Sequence, residues 1–197
     1  ESPEDQQVER LSRPWVWCLD PLDGTTNFSS GIPFFAISIA LLHEKSPVIA
    51  VIYDPCRDEL FTARRGAGAW LNGEPLKCSP RRLPLKNGVG VIDFKRLPAT
   101  LAAKLAVAPP YASQRSFGSV ALYLCWLAAG RFDVYLHGKQ KIWDYAAGTL
   151  ILSEAGGYAS TLTDEAVFSP QFESQSVIAA NDEATFNTWR EWIRTAS

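Results

Sequence analysis

The chain has 197 residues, 47% of them hydrophobic and 12% aromatic, enough apolar side chain for the core of one domain or one and a half. Its 19 basic and 21 acidic residues leave a net charge of −2 with no long basic run, which argues against a nucleic-acid-binding surface. No apolar stretch approaches the ~20 residues of a membrane-spanning helix, and Cys18, Cys56, Cys78 and Cys125 are scattered without a CxxC pair, so a reduced, cytoplasmic protein is expected rather than a disulfide framework or a zinc site.

Residues 2–14 are polar and proline-bearing and read as a surface loop. Residues 15–19 are a β-rich apolar run that delivers Asp20 and Asp23 to the turn Gly24-Thr25-Thr26-Asn27. Residues 34–42 are strongly apolar and end at His43-Glu44-Lys45-Ser46, a hairpin signal. Short strands over 48–53, 59–63 and 69–71, separated by Asp-Pro, Gly and Asn-Gly breaks, continue a mostly antiparallel meander. Residues 80–87 form a basic, Pro-containing connection, 88–92 a strand and 98–107 a helix. Ser119 is placed to cap a helix running to Ala129, with Gly130 as its stop; apolar nearly all round, that helix belongs between layers. Residues 132–136 read as a strand, Asp144 as the start of the next helix, 177–180 as a late strand and Asn181 as the cap of a terminal helix. Phe186, Trp189, Trp192 and Ile193 share one face of that last helix. Helices interleaved with short-stranded sheets indicate a layered α/β (α+β) fold.

Two stretches carry chemistry. In Asp20-Pro21-Leu22-Asp23-Gly24-Thr25-Thr26-Asn27, Pro21 fixes φ and Gly24 relaxes it, so the chain can bend and let two carboxylates share a hard cation. The plain alternative is a turn whose acids bond only backbone amides. In Trp143-Asp144-Tyr145-Ala146-Ala147-Gly148, an acid precedes small residues that permit close packing; taken alone this is a capped buried helix, stopped at Gly156-Gly157. Together, these two stretches resemble the paired signatures of the inositol monophosphatase family, magnesium-dependent and lithium-sensitive phosphatases of small sugar and polyol phosphates. Gly66-Ala67-Gly68-Ala69-Trp70-Leu71-Asn72-Gly73 and Arg115-Ser116-Phe117-Gly118-Ser119 extend the likeness over nearly the whole chain, in order.

The resemblance implies an α-β-α-β-α sandwich of the inositol monophosphatase and fructose-1,6-bisphosphatase type, a single phosphatase domain over residues 1–197, and two or three Mg²⁺ ions inhibited by Li⁺. Asp20 is implied to bridge two metals, the Leu22 carbonyl to join one, and Asp23 and Asp144 to hold the other. Thr25 is implied to orient the attacking water, so Thr25 and Asp20 are the catalytic candidates. Substrate contacts are implied for Asp23, Gly24, Thr25, Gly118, Ser119, Val120, His137 and Asp144, with the amides of Gly24 and Thr25 receiving the phosphate. The family usually carries two helices and a hairpin upstream, ending in a Glu-Glu pair. Because the chain starts at Glu1 and contains no methionine, it is expected to lack that segment, and Glu1 matches the second Glu, a candidate metal ligand acting through a water.

His137 stands seven residues before Asp144, where inositol-type members use a Glu to hold sugar hydroxyls. Lys139 and Lys141 follow, and Lys95 and Arg96 lie upstream; these read either as solvated basic surface or as the mark of a substrate with further negative charge or of a different polyol. The haloacid-dehalogenase pattern, with its acids two apart, is excluded by the extra residue between Asp20 and Asp23. The expected function is Mg²⁺-dependent hydrolysis of a small phosphate monoester by a homodimer with no nucleic-acid or membrane partner. The alternative is a weakly active or non-catalytic family member with a binding or regulatory role.

Overall fold

The computed structural model describes residues 13–79, 84–168 and 174–196; Glu1 and the loop expected ahead of residue 13 lie outside them. Strands β1 (Trp15–Asp23), β2 (Ala36–His43), β3 (Ser46–Asp54), β4 (Glu59–Arg64), β5 (Gly68–Leu71) and β6 (Glu74–Leu76) pair antiparallel in sequence order. Two-residue loops close two of these hairpins. Glu44 and Lys45 (φ 47° and 61°) join β2 to β3, and Asn72-Gly73 (φ 51° and 83°) joins β5 to β6. Positive φ at both positions matches the twist of the flanking strands. β6, only three residues long, has no periodicity of its own to announce it.

Alternation then sorts the side chains of this sheet. Ala36, Ser38, Ala40 and Leu42 of β2, Ala50 and Ile52 of β3, and Phe61 and Ala63 of β4 face inward and are buried. Trp15, Trp17 and Leu19 of β1, with Ile37, Ile49 and Leu60, are exposed.

The second sheet is mixed, in the order β10 (Tyr158–Ser160), β11 (Gln175–Ala180), β9 (Val134–Gln140), β7 (Val89–Asp93), β8 (Ser113–Arg115). β7 runs parallel to β8 and β9, while β11 is antiparallel to β9 and β10. Both faces are covered. Val91, Tyr135, Val177 and Ala179 join the core shared with the first sheet. Ile92, Val134, Leu136, Ile178 and Ala180 pack with α2 (Ala99–Val107) and α5 (Glu183–Ala196). The stripe expected on the terminal helix is the one buried there, and Trp189 also donates its indole N–H to the Tyr135 carbonyl at 3.1 Å.

Between the sheets lie α3 (Val120–Ala128) and α4 (Ile142–Glu154). Ser119 caps α3, and seven of its nine residues are buried, as an all-apolar helix requires. At the α3–α4 crossing a Cβ on Gly148 would lie 2.7 Å from Leu124 Cδ1, so the close approach depends on glycine. The result is the layered α/β sandwich, with sheet, helix, sheet and helix layers among the described residues.

Three local expectations are corrected. Gly24 does not open a plain turn but precedes a short helix, α1 (Thr25–Ser29). Asp144 sits in the first turn of α4 rather than starting it. Asp182, not Asn181, caps α5, accepting from the Thr185 amide at 3.0 Å and hydroxyl at 2.6 Å; Asn181 turns inward toward the Phe132 carbonyl. Among the described residues, no helix is long and apolar enough to cross a membrane.

Candidate active site

The site begins with an irregularity in β1. Asp20 pairs with Ser38 and Asp23 with Ala36, so three steps along β1 match two along β2. Residues at odd separation point to opposite faces of a regular strand. The extra residue, a bulge at Pro21-Leu22, restores both acids to one side. Asp20 Oδ1 accepts the Leu22 amide at 3.0 Å, and Thr25 donates its hydroxyl to the Leu22 carbonyl at 3.0 Å, so the bulge is braced from within. Gly24 (φ 91°) then turns the chain into α1; a Cβ there would meet the Phe34 carbonyl oxygen at 3.0 Å. Asn27, buried, donates its amide to the Phe34 and Phe117 carbonyls at 2.7 and 2.5 Å and ties the turn to the segment leading into α3.

Asp144 arrives from the other side of the sequence. In the first turn of α4 its carboxylate accepts the Lys141 amide at 2.8 Å, which aims it at β1. Asp20, Asp23 and Asp144 each offer a carboxylate oxygen, all within 4.8 Å of one another. Three acids this close repel. Burial above all, with the charges of Asp144 and Asp20 adding to it, pushes Asp23 up to about 7, although the hydroxyl of Ser119 (2.6 Å) and the amide of Ala121 (2.8 Å) both donate to it. Asp144 is raised to about 6, by burial first, with Asp20 adding to it while the Lys141 amide, His137 and Arg96 pull the other way. Cys18, one turn of the pleat back from Asp20, is pushed up to about 12 by burial and then by Asp144 and Asp20. Its thiol is therefore neutral and packs against the core beside the acids.

The acids open on a cleft of about 700 Å³ that is also lined by Leu22, Gly24 and Thr25, and by Arg96, Lys139 and Lys141. An all-oxygen donor set of three carboxylates within 4.8 Å of one another, with a nearby carbonyl, suits a hard divalent cation. The donors therefore fit Mg²⁺.

Four residues expected at the substrate are not among those lining this cleft. Ser119 donates to Asp23 and caps α3, so it supports a ligand of the cluster rather than lining the cleft. Gly118 (φ 90°) packs on the Asn27 side-chain amide, where a Cβ would come within 2.9 Å. Val120 begins α3 and does not line the cleft. His137 is 2% exposed and both ring nitrogens are engaged: Nε2 faces Asp93 Oδ2 at 3.2 Å, and Nδ1 accepts the Lys139 amide at 3.0 Å. In this structure its ring is enclosed and turned to Asp93 and the Lys139 amide, not to the cleft. Asp93, in turn, is held below the usual carboxylate range chiefly by its hydrogen bond with His137. Nothing in the sequence around Asp93 marks it as that partner; the parallel register of β7 and β9 makes the pair.

The inositol monophosphatase family profile matches residues 1–194. The chain belongs to that family. It is 43% identical over 147 residues to a Nus factor SuhB of Xylella fastidiosa, covering 73% of this chain and 54% of that protein. It is 37% identical over 183 residues to an inositol-1-monophosphatase of Rhizobium meliloti, covering 91% of this chain and 68% of that protein. The extragenic suppressor protein suhB of Bartonella henselae has a crystal structure that superposes with a TM-score of 0.84 at 38% identity, over 93% of this chain and 72% of that one. The chain thus spans just over half the length of its SuhB relative from Xylella.

Proposed function

We propose that the protein hydrolyses a small phosphate monoester with Mg²⁺, and that Asp20, Asp23, Asp144 and the Leu22 carbonyl hold the ions. The convergence of three carboxylates from β1 and α4 within 4.8 Å carries this reading. When bound, the ions would offset the charge of the ester and lower the pKa of a coordinated water. The chain's own part is to hold Asp20 and Asp23 on a braced bulge facing Asp144 of α4, with Gly24 and Thr25 lining the same cleft. The Thr25 hydroxyl donates to the Leu22 carbonyl, and in this reading its oxygen accepts from and orients the attacking water. Li⁺ sensitivity, a homodimer and a cytoplasmic setting belong to the same reading, as does an upstream segment completing the domain.

One observation favours a second reading. Several relatives bear the name Nus factor SuhB rather than that of a phosphatase, which is what a family member with a binding or regulatory role would look like. Phosphate release by the full-length protein, with and without Mg²⁺, separates the two. A panel of inositol 1-phosphate, fructose 1,6-bisphosphate, histidinol phosphate and an adenosine bisphosphate is expected to yield Mg²⁺-dependent release that Asp144→Asn abolishes. No release from any of them, despite bound metal, supports the second reading.

A further inference from the structure

The cleft that holds the acids, Gly24 and Thr25 has a second set of lining groups. Arg96, Lys139 and Lys141 line it too, and three cations in one cleft are more than one scissile phosphate requires. Their placement is built into the backbone. Arg96 belongs to the single 3-10 turn Phe94–Arg96 that follows β7, and Lys139 and Lys141 close the end of β9. At Gly138 the two segments come so near that a Cβ would fall 1.9 Å from the Arg96 carbonyl oxygen, a contact open only to glycine. Arg96 Nη1 donates to the Lys139 carbonyl at 2.9 Å. Asp93 caps the turn through the Lys95 amide at 2.9 Å while its other oxygen faces His137, and His137 takes the Lys139 amide. The residue that replaces the family's hydroxyl-binding Glu therefore works as a positioning residue for a cationic rim.

We propose that the substrate carries a second phosphate, held by Arg96, Lys139 and Lys141, while its scissile ester lies at the acids: a sugar or polyol bisphosphate rather than a monophosphate. The proposal rests on the phosphomonoesterase reading above and assigns its substrate class. Arginine suits this part because its planar fork pairs with phosphate oxygens in two parallel hydrogen bonds, and the lysines add charge without demanding direction. The competing account is that the three cations only offset the acid cluster, in which case a second phosphate brings no advantage.

The test compares inositol 1-phosphate with inositol 1,4-bisphosphate, on the full-length protein with Mg²⁺. Expected is a kcat/KM about tenfold or more higher for the bisphosphate, carried by KM and shrinking as salt screens the exposed cations. In the Arg96→Ala/Lys139→Ala variant, with its melting temperature checked, that ratio falls toward one. If the variant does not fold, Lys141→Gln and the salt series on the unmodified protein read the same ratio. Equal efficiency for the two compounds, or a preference untouched by salt and by substitution, overturns the proposal. If neither compound is hydrolysed, the phosphatase reading fails by itself, and calorimetric affinities of the two compounds with Mg²⁺ decide this one: tighter bisphosphate binding that the variant loses supports it, and equal binding overturns it.

Discussion

The proton content of the acid cluster gives the sharpest test of the metal site. Asp23 and Asp144 stand at about 7 and about 6 in the folded protein, both above the ordinary value of 3.8. A carboxyl that holds its proton more tightly when folded adds stability below pH 4, and that stability is lost as pH rises through the folded values. Without a divalent ion the melting temperature is therefore expected to fall between pH 5 and 8. A divalent ion must displace those protons to bind. Both carboxyls are raised toward neutral pH, so metal binding should release protons at pH 6 and clearly fewer at pH 8. Calorimetric titration with MgCl₂ in buffers of different ionisation heat counts them directly. Added Mg²⁺ should accordingly raise the melting temperature more at pH 8 than at pH 5.5. Proton release that is absent at pH 6, or that stays level up to pH 8, would refute both the burial of Asp23 as described and its place among the ligands.

Asp144→Asn should lower Mg²⁺-dependent phosphate release by more than the ~10- to 100-fold typical of losing a residue that merely supports a ligand. The same substitution should leave the metal-free melting temperature at pH 8 unchanged or higher, because a repelled, buried carboxylate is gone. Ser119→Ala removes both the cap of α3 and a donor to Asp23. It is expected to cost ~1–2 kcal/mol in urea unfolding and to weaken Mg²⁺ binding in calorimetry, with Asp23 holding its proton to higher pH. Gly138→Ala forces the Arg96 carbonyl away from a Cβ at 1.9 Å. Expected are a loss of ~1–3 kcal/mol and a rise in KM larger than the fall in kcat, since the acids are held by other elements.

Much of the fold was legible because it follows local rules. The meander from β2 to β5 is a series of short apolar runs cut by turn signals, its Asn-Gly turn has the backbone that pair favours, and α3 is too apolar to lie anywhere but between layers. The elements that escaped notice, β6, β8 and β10, are three residues each and exist only because a longer neighbour offers its edge. Asn181 and Asp182 show the same limit at a helix start. Both residue types cap well, and only the interior position of the Phe132 carbonyl decides that Asn181 turns inward.

The site divides along the same line. Asp20, Asp23 and Asp144 were readable as a cation-binding set from residue type and from the Pro-Gly bend, even though the bulge that makes the odd spacing work is a property of the β1–β2 register. The rest depended on what the fold brings alongside. A histidine at position 137 suggests a group facing ligand, and its chemistry would allow it. In this structure the ring is instead enclosed, with its nitrogens turned to Asp93 and the Lys139 amide. What lines the cleft near this position are the lysines on either side of Gln140, and the arginine tied to the first of them, none of them marked as a cleft residue by its own sequence neighbourhood.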